Sequence, residues 1–430
     1  MINETEHTAK QDVTILKNWP RLIYRVGRNQ AKNILNLISG RSLTTPSLVS
    51  ATLDQDDVTI AKKWLKDRRQ WRDQSIVAQY ESEFVRWNQS KHVFAFMGGR
   101  VALSACIYAL GLQPGDEVIL PGYTCVVVPN AFNYAGIDIV YCDIELDTYG
   151  LDITQLEKKI TPKTRAILLH HLYGLVCRDF EAILNLAKRC GLKVIEDCAH
   201  ATGAEYKGRK VGNFGDCAFY SSEQSKIFNT TQGGLAVTND DDLAAKIKEY
   251  YDQAPLADDV WIDKLLHNVI INFYQFKHPG RWWLGDLTSL RYASKYQVST
   301  TREEEEGNRP EHYGRRMPAP VAALGLNQLR KIDDYNRKRR ETAKLWDQWC
   351  QNNGYTPPLV IPNSTPVYLR YPILVEPEKK QNTYWALKNP GVNIGVWFVS
   401  HTHPAIREVV GCPNADIAVK QCINFPGVIL

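Results

Sequence analysis

A chain of 430 residues is long enough for two lobes, because single hydrophobic cores stop growing near roughly 250–300 residues. Apolar residues make up 44% and charged residues 23%, the balance of an ordinary soluble globular protein. The net charge of +5 is small for this length, and no basic stripe with interleaved aromatics accompanies it, which excludes a nucleic-acid footprint.

The ten cysteines contain no CxxC pair, and Cys106, Cys142 and Cys190 sit in apolar stretches. They read as reduced, buried thiols of a cytoplasmic protein rather than a disulfide framework or a zinc site. No run of about 18 apolar residues is present, and the polar start "MINETEHTAKQD" lacks the apolar centre of a signal peptide. The acidic "REEEEGNR" (302–309) and the basic "RKRR" (337–340) both read as solvated faces.

Residues 1–45 form an N-terminal extension. Its stretch "PRLIYRVGRNQAKNILNLISGR" (20–41) reads as a helix packed on the protein body, with contact to a membrane surface as the other reading. Residues 46–253 form a large domain in which helix and strand alternate from about residue 98. "RVALSACIYALGL" predicts a helix, "EVILPG" a strand, "VVVPNAFNYAG" a helix and "DIVYCDIE" a strand. "LDITQLEKKI" opens a helix after an Asp cap, "RAILLHHLYG" is a strand, "DFEAILNLAKRCG" a helix closed by Gly, and "LKVIED" a strand. Short apolar strands separated by longer helices imply an α/β protein with a mostly parallel sheet sandwiched by helices. Residues 254–310 break that pattern with the aromatic-rich "WIDKLLHNVIINFYQFKHPGRWWLGDL". This reads as a packed insertion, a substrate lid, a dimer contact or a patch for a lipid-like partner. Residues 311–430 form a smaller C-terminal α/β domain.

Ligands of open α/β sheets bind outside the carboxyl ends of the strands. "LKVIED" delivers Asp197 to such an end, and "DCAFYS" delivers Ser221, with Lys226 on the loop "SSEQSKIFNTTQGG" that follows. "MGGRVAL" places Gly98 and Gly99 before a helix, whose backbone N–H groups suit a phosphate. A lysine, an acid and an anion site together fit pyridoxal phosphate, which needs a lysine for its aldehyde, an acid against its ring nitrogen and a phosphate cradle.

The chain resembles the DegT/StrS group of nucleotide-sugar aminotransferases, a branch of the fold-type I enzymes that use pyridoxal phosphate. The likeness runs from about residue 47 to the C-terminus. It rests on "QPGDEVILPGYT" (113–124), "DTYGLDITQLEKKITPKTRAILLHHLYG" (147–174), "VIEDCAHATGAEYKGRKVGNFGDCAFYS" (194–221), the Lys226 loop and "RRMPAPVAALGLNQL" (315–329). The resemblance implies that Lys226 is the Schiff-base lysine, that Asp197 partners the pyridine nitrogen and that His200 lies beside the ring's 3′ oxygen. It implies that Ser221, Gly99 and Arg100 hold the phosphate, with the hydroxyls around Lys226 belonging to that phosphate site. It also implies a homodimer with a shared active site. The sequence departs from the family pattern at Arg100, where a Thr is usual, and at Cys125, where an aromatic is usual, so that Tyr123 becomes the candidate to stack on the ring. Gln232 replaces a Glu, and Gly314 stands where an Asn usually reaches the neighbouring subunit.

Within the resemblance, a lysine at position 226 implies amino transfer, whereas histidine there marks dehydratases. The expected reaction moves an amino group from an amino acid, L-glutamate first, to a keto group of a nucleotide-linked deoxysugar. The alternatives are a non-catalytic cofactor-binding regulator and an aminotransferase acting on a lipid-linked or other non-nucleotide substrate.

Overall fold

The computed structural model describes Tyr24, Gly27, Gln30 and residues 46–295, 300–407 and 409–429. The expected N-terminal helix over 20–41 therefore lies almost wholly outside the described residues. Seven strands form the central sheet: β1 (His92–Phe96), β2 (Glu117–Pro121), β3 (Asp138–Cys142), β4 (Thr164–His170), β5 (Lys193–Asp197), β6 (Cys217–Ser221) and β7 (Gly234–Thr238). Their order is β1-β7-β6-β5-β4-β2-β3. All neighbours from β6 to β3 pair in parallel, while β7 runs antiparallel to both β6 and β1. Two reversals leave β1 parallel to the rest, so the carboxyl ends of β1, β6, β5, β4 and β2 gather along one edge.

Successive strand residues point to opposite faces, and here both faces are covered. On one face, Val118, Leu168 and Ile195 pack against α3 (Gly99–Ala109), α4 (Val127–Asn133) and α7 (Asp241–Gln253). On the other, Ile119, Ile167, Leu169 and Val194 join a larger core with α1 (Gln55–Lys66), α2 (Gln74–Asn88), α6 (Phe180–Cys190) and α10 (Ala319–Asn353). The predicted α/β class is thus what the chain adopts. Local chemistry sets the helix ends. The Asp152 carboxylate accepts the Thr154 N–H at 2.8 Å to start α5 (Ile153–Lys159), and Gly191, at φ 66°, ends α6 in the left-handed conformation that glycine adopts freely.

The segment 254–310 joins this core. Helix α8 (Asp259–Asn272) buries Ile262, Leu265, Leu266 and Val269 in it, whereas α9 (Arg281–Arg291) leaves Trp282, Trp283 and Leu287 exposed. Past α10, an antiparallel pair, β8 (Arg370–Leu374) and β9 (Cys422–Pro426), packs on the far end of that helix, with the Trp346 ring stacked on Phe425 at 4.6 Å. Helix α11 (Pro413–Gln421) precedes β9. A two-residue parallel pairing of Thr402–His403 with Thr124–Cys125 ties this part of the chain to the edge where the strand ends gather.

Three surface expectations are corrected. Glu304, inside the acidic run, is buried, because its carboxylate pairs with Arg100 across 204 residues of sequence. Arg339, inside the basic run, is also buried; it donates to the Ile227 carbonyl at 2.7 Å, while Arg337 and Lys338 pair with Asp334 at the surface. All ten cysteines are free thiols as expected, but Cys190 is exposed, since it is the last residue of α6.

Candidate active site

A cavity of about 440 Å³ opens where the strand ends gather. Gly99 and Arg100 follow β1, Asp197 ends β5, Ser221 ends β6, and Lys226 and His200 stand on the adjoining loops; all six line this one cavity. Residues far apart in sequence therefore meet as the strand-end rule requires.

Backbone crowding builds the β1 side. The register sets Gly234 opposite both Phe96 and Ser221. A Cβ on Gly234 would fall 2.3 Å from the Gly98 carbonyl carbon and the Gly99 nitrogen, and one on Gly99 would meet the Ser221 Cβ at 3.0 Å. The start of α3 therefore lies directly on β7 and β6, an approach that only glycines permit. We expect Gly234→Ala to cost about 3 kcal/mol or more, the upper end for overpacking, because backbone rather than a flexible side chain stands in the way. A melting temperature unchanged from wild type would show that α3 need not lie so close.

The two neighbouring acids of β5 part company by strand alternation. Glu196 turns inward and is fully buried, accepting N–H groups from Gly212 at 2.7 Å, Phe214 at 2.6 Å and Gly215 at 2.7 Å, with His171 Nε2 at 3.3 Å. Burial opposes its charge, but His171 and these donors outweigh it and hold the carboxyl below its usual range. It fastens the loop below the site. Asp197 faces the cavity, where desolvation pushes its carboxyl up to about 6 despite the Ala199 N–H and the Lys226 charge. The Ala199 N–H reaches it at 2.9 Å.

Burial first, then the Lys226 and Arg370 charges, push the His200 imidazole well below its ordinary range, so it is neutral at pH 7. Its Nδ1 accepts the Tyr173 N–H at 3.3 Å, which leaves Nε2 to carry the proton and donate. The His200 ring stacks on Trp397 at 5.7 Å with 15° between planes. Lys226 Nζ also stands 5.7 Å from the Trp397 ring, whose position is fixed by the Arg370 guanidinium at 3.3 Å and by Asn424 and Tyr173 on its backbone. His403 lines the same cavity, and burial lowers its imidazole to about 4.

The loop that bears Lys226 is fastened from outside the site. Gln328 and Arg339 of α10 hold the Asn229 N–H and the Ile227 carbonyl, and Asn272 of α8 donates to the Gln224 side chain at 2.8 Å. The hydroxyls around the lysine divide, against the expectation that they share one role. Ser221 and Ser225 line the cavity, whereas Ser222 and Thr230 bond to each other at 2.6 Å and brace the loop.

Tyr123 is not brought to the cavity. It is fully buried in a cluster with Tyr149 and Phe398, its hydroxyl accepting the Phe398 N–H at 2.7 Å. The expectation that it stacks on a bound ring is corrected: the pairing of Thr124 and Cys125 with Thr402 and His403 leaves Cys125 on the cavity side and Tyr123 in that cluster. Arg100 turns to Glu304, and Gln232 accepts the Trp261 indole N–H at 2.9 Å, so two of the departures from the family pattern contact the segment 254–310.

The chain matches the DegT/DnrJ/EryC1/StrS aminotransferase family over residues 53–278 and 284–428. It is 44% identical over 273 residues to a GDP-perosamine synthase of Caulobacter vibrioides, covering 64% of this chain and 61% of that protein, and so spans about three fifths of that relative's length. It is 31% identical over 364 residues to the spore coat polysaccharide biosynthesis protein SpsC of Bacillus subtilis, covering 81% of this chain and 84% of the relative. Its fold is shared with an Escherichia coli GDP-4-keto-6-deoxy-D-mannose-3-dehydratase with bound hydrated pyridoxal phosphate, at a TM-score of 0.66 and 18% identity over 89% of this chain and 95% of that one.

Proposed function

Because the chain belongs to the DegT/DnrJ/EryC1/StrS aminotransferase family, we propose that it holds pyridoxal phosphate in this cavity and moves an amino group from an amino acid to a keto group of a nucleotide-linked deoxysugar. The carrying observation is the convergence of Lys226, Asp197 and the glycine-packed start of α3 on one cavity. That donor set suits the cofactor: an amine for its aldehyde, an acid for its ring nitrogen and a helix N-terminus with Ser221 for its phosphate. Bound there, the cofactor supplies an electron sink for the carbanion formed beside the migrating nitrogen.

The protein's own groups do the rest. The Asp197 carboxylate would keep a proton on the ring nitrogen, and its costly ionisation in the cavity would be offset by that cation. Neutral His200 would donate Nε2–H to an oxygen of the ring. Lys226, freed when a substrate amine displaces it, would carry the proton between donor carbon, cofactor and sugar carbon. Trp397 and His403 would bound the space in which the sugar must sit. The lysine at 226 separates this reading from dehydration, which the shared fold alone does not. The Caulobacter relative's name points to a GDP-linked sugar, and L-glutamate is the first donor to try. Two copies are expected to associate as a homodimer.

The test mixes the purified protein and pyridoxal phosphate first with L-glutamate and then with a GDP-linked 4-keto-6-deoxysugar. Glutamate should bleach the near-visible absorption and the keto-sugar should restore it, with an amino sugar found by mass. Absorption that no amino acid bleaches would support the non-catalytic regulator instead.

A further inference from the structure

We infer that Glu304 and a phosphate dianion compete for the Arg100 guanidinium, so that filling the anion end of the cavity releases the segment Thr301–Gly307 from its wall. The inference rests on the reading that the cavity takes a phosphorylated cofactor, and it concerns how that site is regulated.

Arg100 is the second residue of α3 and directly follows Gly99, whose backbone lies against Ser221. Its side chain and that of Glu304 line the cavity and pair with each other at 20% and 3% exposure, so the bond is made largely out of water. Glu304 Oε1 accepts from Arg100, while Oε2 accepts the Thr301 N–H at 2.9 Å, and the Thr301 hydroxyl accepts the Glu304 N–H at 3.3 Å. One carboxylate therefore joins the anion end of the cavity to the helical turn Arg302–Glu305. Elsewhere the turn is held through backbone carbonyls: Asn130 donates to the Glu304 carbonyl at 2.6 Å and Arg407 to the Glu305 carbonyl at 3.2 Å.

Charge decides the competition. A phosphate brings nearly two negative charges and can take a guanidinium bidentately, whereas Glu304 brings one. Both cannot rest beside the start of α3 without repelling each other in a desolvated space. Once Arg100 turns to phosphate, Glu304 is a buried carboxylate without its cation and is driven toward water, taking the turn with it. The coupling is reciprocal, so removing the Glu304 charge must strengthen phosphate binding.

The experiment compares pyridoxal phosphate with pyridoxal, which lacks the phosphate, on wild type, Glu304→Gln and Arg100→Gln. It also follows amide hydrogen exchange of residues 301–307 with and without millimolar inorganic phosphate. Glu304→Gln should bind pyridoxal phosphate about tenfold tighter and Arg100→Gln about tenfold more weakly, as for loss of one partly buried charge contact, with pyridoxal unchanged in both. Phosphate should speed exchange of 301–307 in wild type and have no effect in Arg100→Gln. Weaker binding to Glu304→Gln, an equal change for both ligands, or exchange indifferent to phosphate would overturn the competition. If neither pyridoxal compound gives a Lys226-dependent absorption, the functional reading fails, and the inorganic-phosphate exchange result still decides this inference.

Discussion

Replacing Lys226 by alanine will remove the near-visible absorption that pyridoxal phosphate acquires on this protein and lower amino transfer by about 10⁴-fold, the upper end of what a positioned proton-transferring group contributes. The loss should be chemical rather than structural. The loop around residue 226 is held by Arg339 on the Ile227 carbonyl and by Gln328 on the Asn229 N–H, neither of which involves the lysine side chain. The variant should therefore fold as wild type does and still bind the cofactor, more weakly, through Asp197, Ser221 and the start of α3. Lys226→Arg should fail as badly, because a guanidinium keeps the charge but stays protonated and does not attack an aldehyde. Absorption spectra and product mass read both effects, and a wild-type spectrum from Lys226→Ala would place the reactive lysine elsewhere.

Asp197→Asn should stabilise the cofactor-stripped protein at pH 7 while weakening the cofactor's hold. The carboxyl, ordinarily at 3.8, is pushed up to about 6 chiefly by desolvation. Between those values the native protein keeps a proton that the unfolded chain has released, so this group's contribution to stability falls as pH rises through the window, and its cost is complete above it. A shift of that size is worth about 3 kcal/mol, or about 3 °C for a chain of this length. Asparagine cannot ionise, and its side-chain oxygen can still accept the Ala199 N–H. The stripped variant should therefore melt above stripped wild type at pH 7, with the gap closing toward pH 4. Adding pyridoxal phosphate should reverse the order, because only the carboxylate gains a cationic ring partner. Melting curves at both pH values check this; a variant less stable than wild type when stripped, or one that gains as much from the cofactor, would contradict it.

What the sequence disclosed and what it withheld follow from how far apart the partners lie. Asp197, Ser221 and Lys226 were legible because each sits at or just after the end of a short apolar strand, and their order along the chain is the order in which strand ends offer groups to a crevice. Glu196 carries no signal of its own beside Asp197, since only the pleat of β5 decides which of two adjacent acids turns inward. Arg339 and Glu304 sit in charge runs, which usually face solvent, and their partners, Ile227 and Arg100, lie 112 and 204 residues away. Gln328 carried a usable signal as a polar residue on the apolar face of "APVAALGLNQL", where a buried amide must find a partner. Trp397 carried none: its place over Lys226 depends on Arg370, Asn424 and Tyr173, from three separate parts of the chain. Tyr123 turns away from the cavity because a two-residue pairing of Thr124–Cys125 with Thr402–His403, invisible locally, sets which way that strand end faces.

The proposed amino transfer follows from this cavity holding pyridoxal phosphate through Lys226. The direct test is borohydride reduction of the protein mixed with pyridoxal phosphate, followed by proteolysis and peptide mass analysis. A single reduced adduct is expected on the peptide containing Lys226, absent from Lys226→Ala. An adduct on another lysine, or none at all, would contradict it.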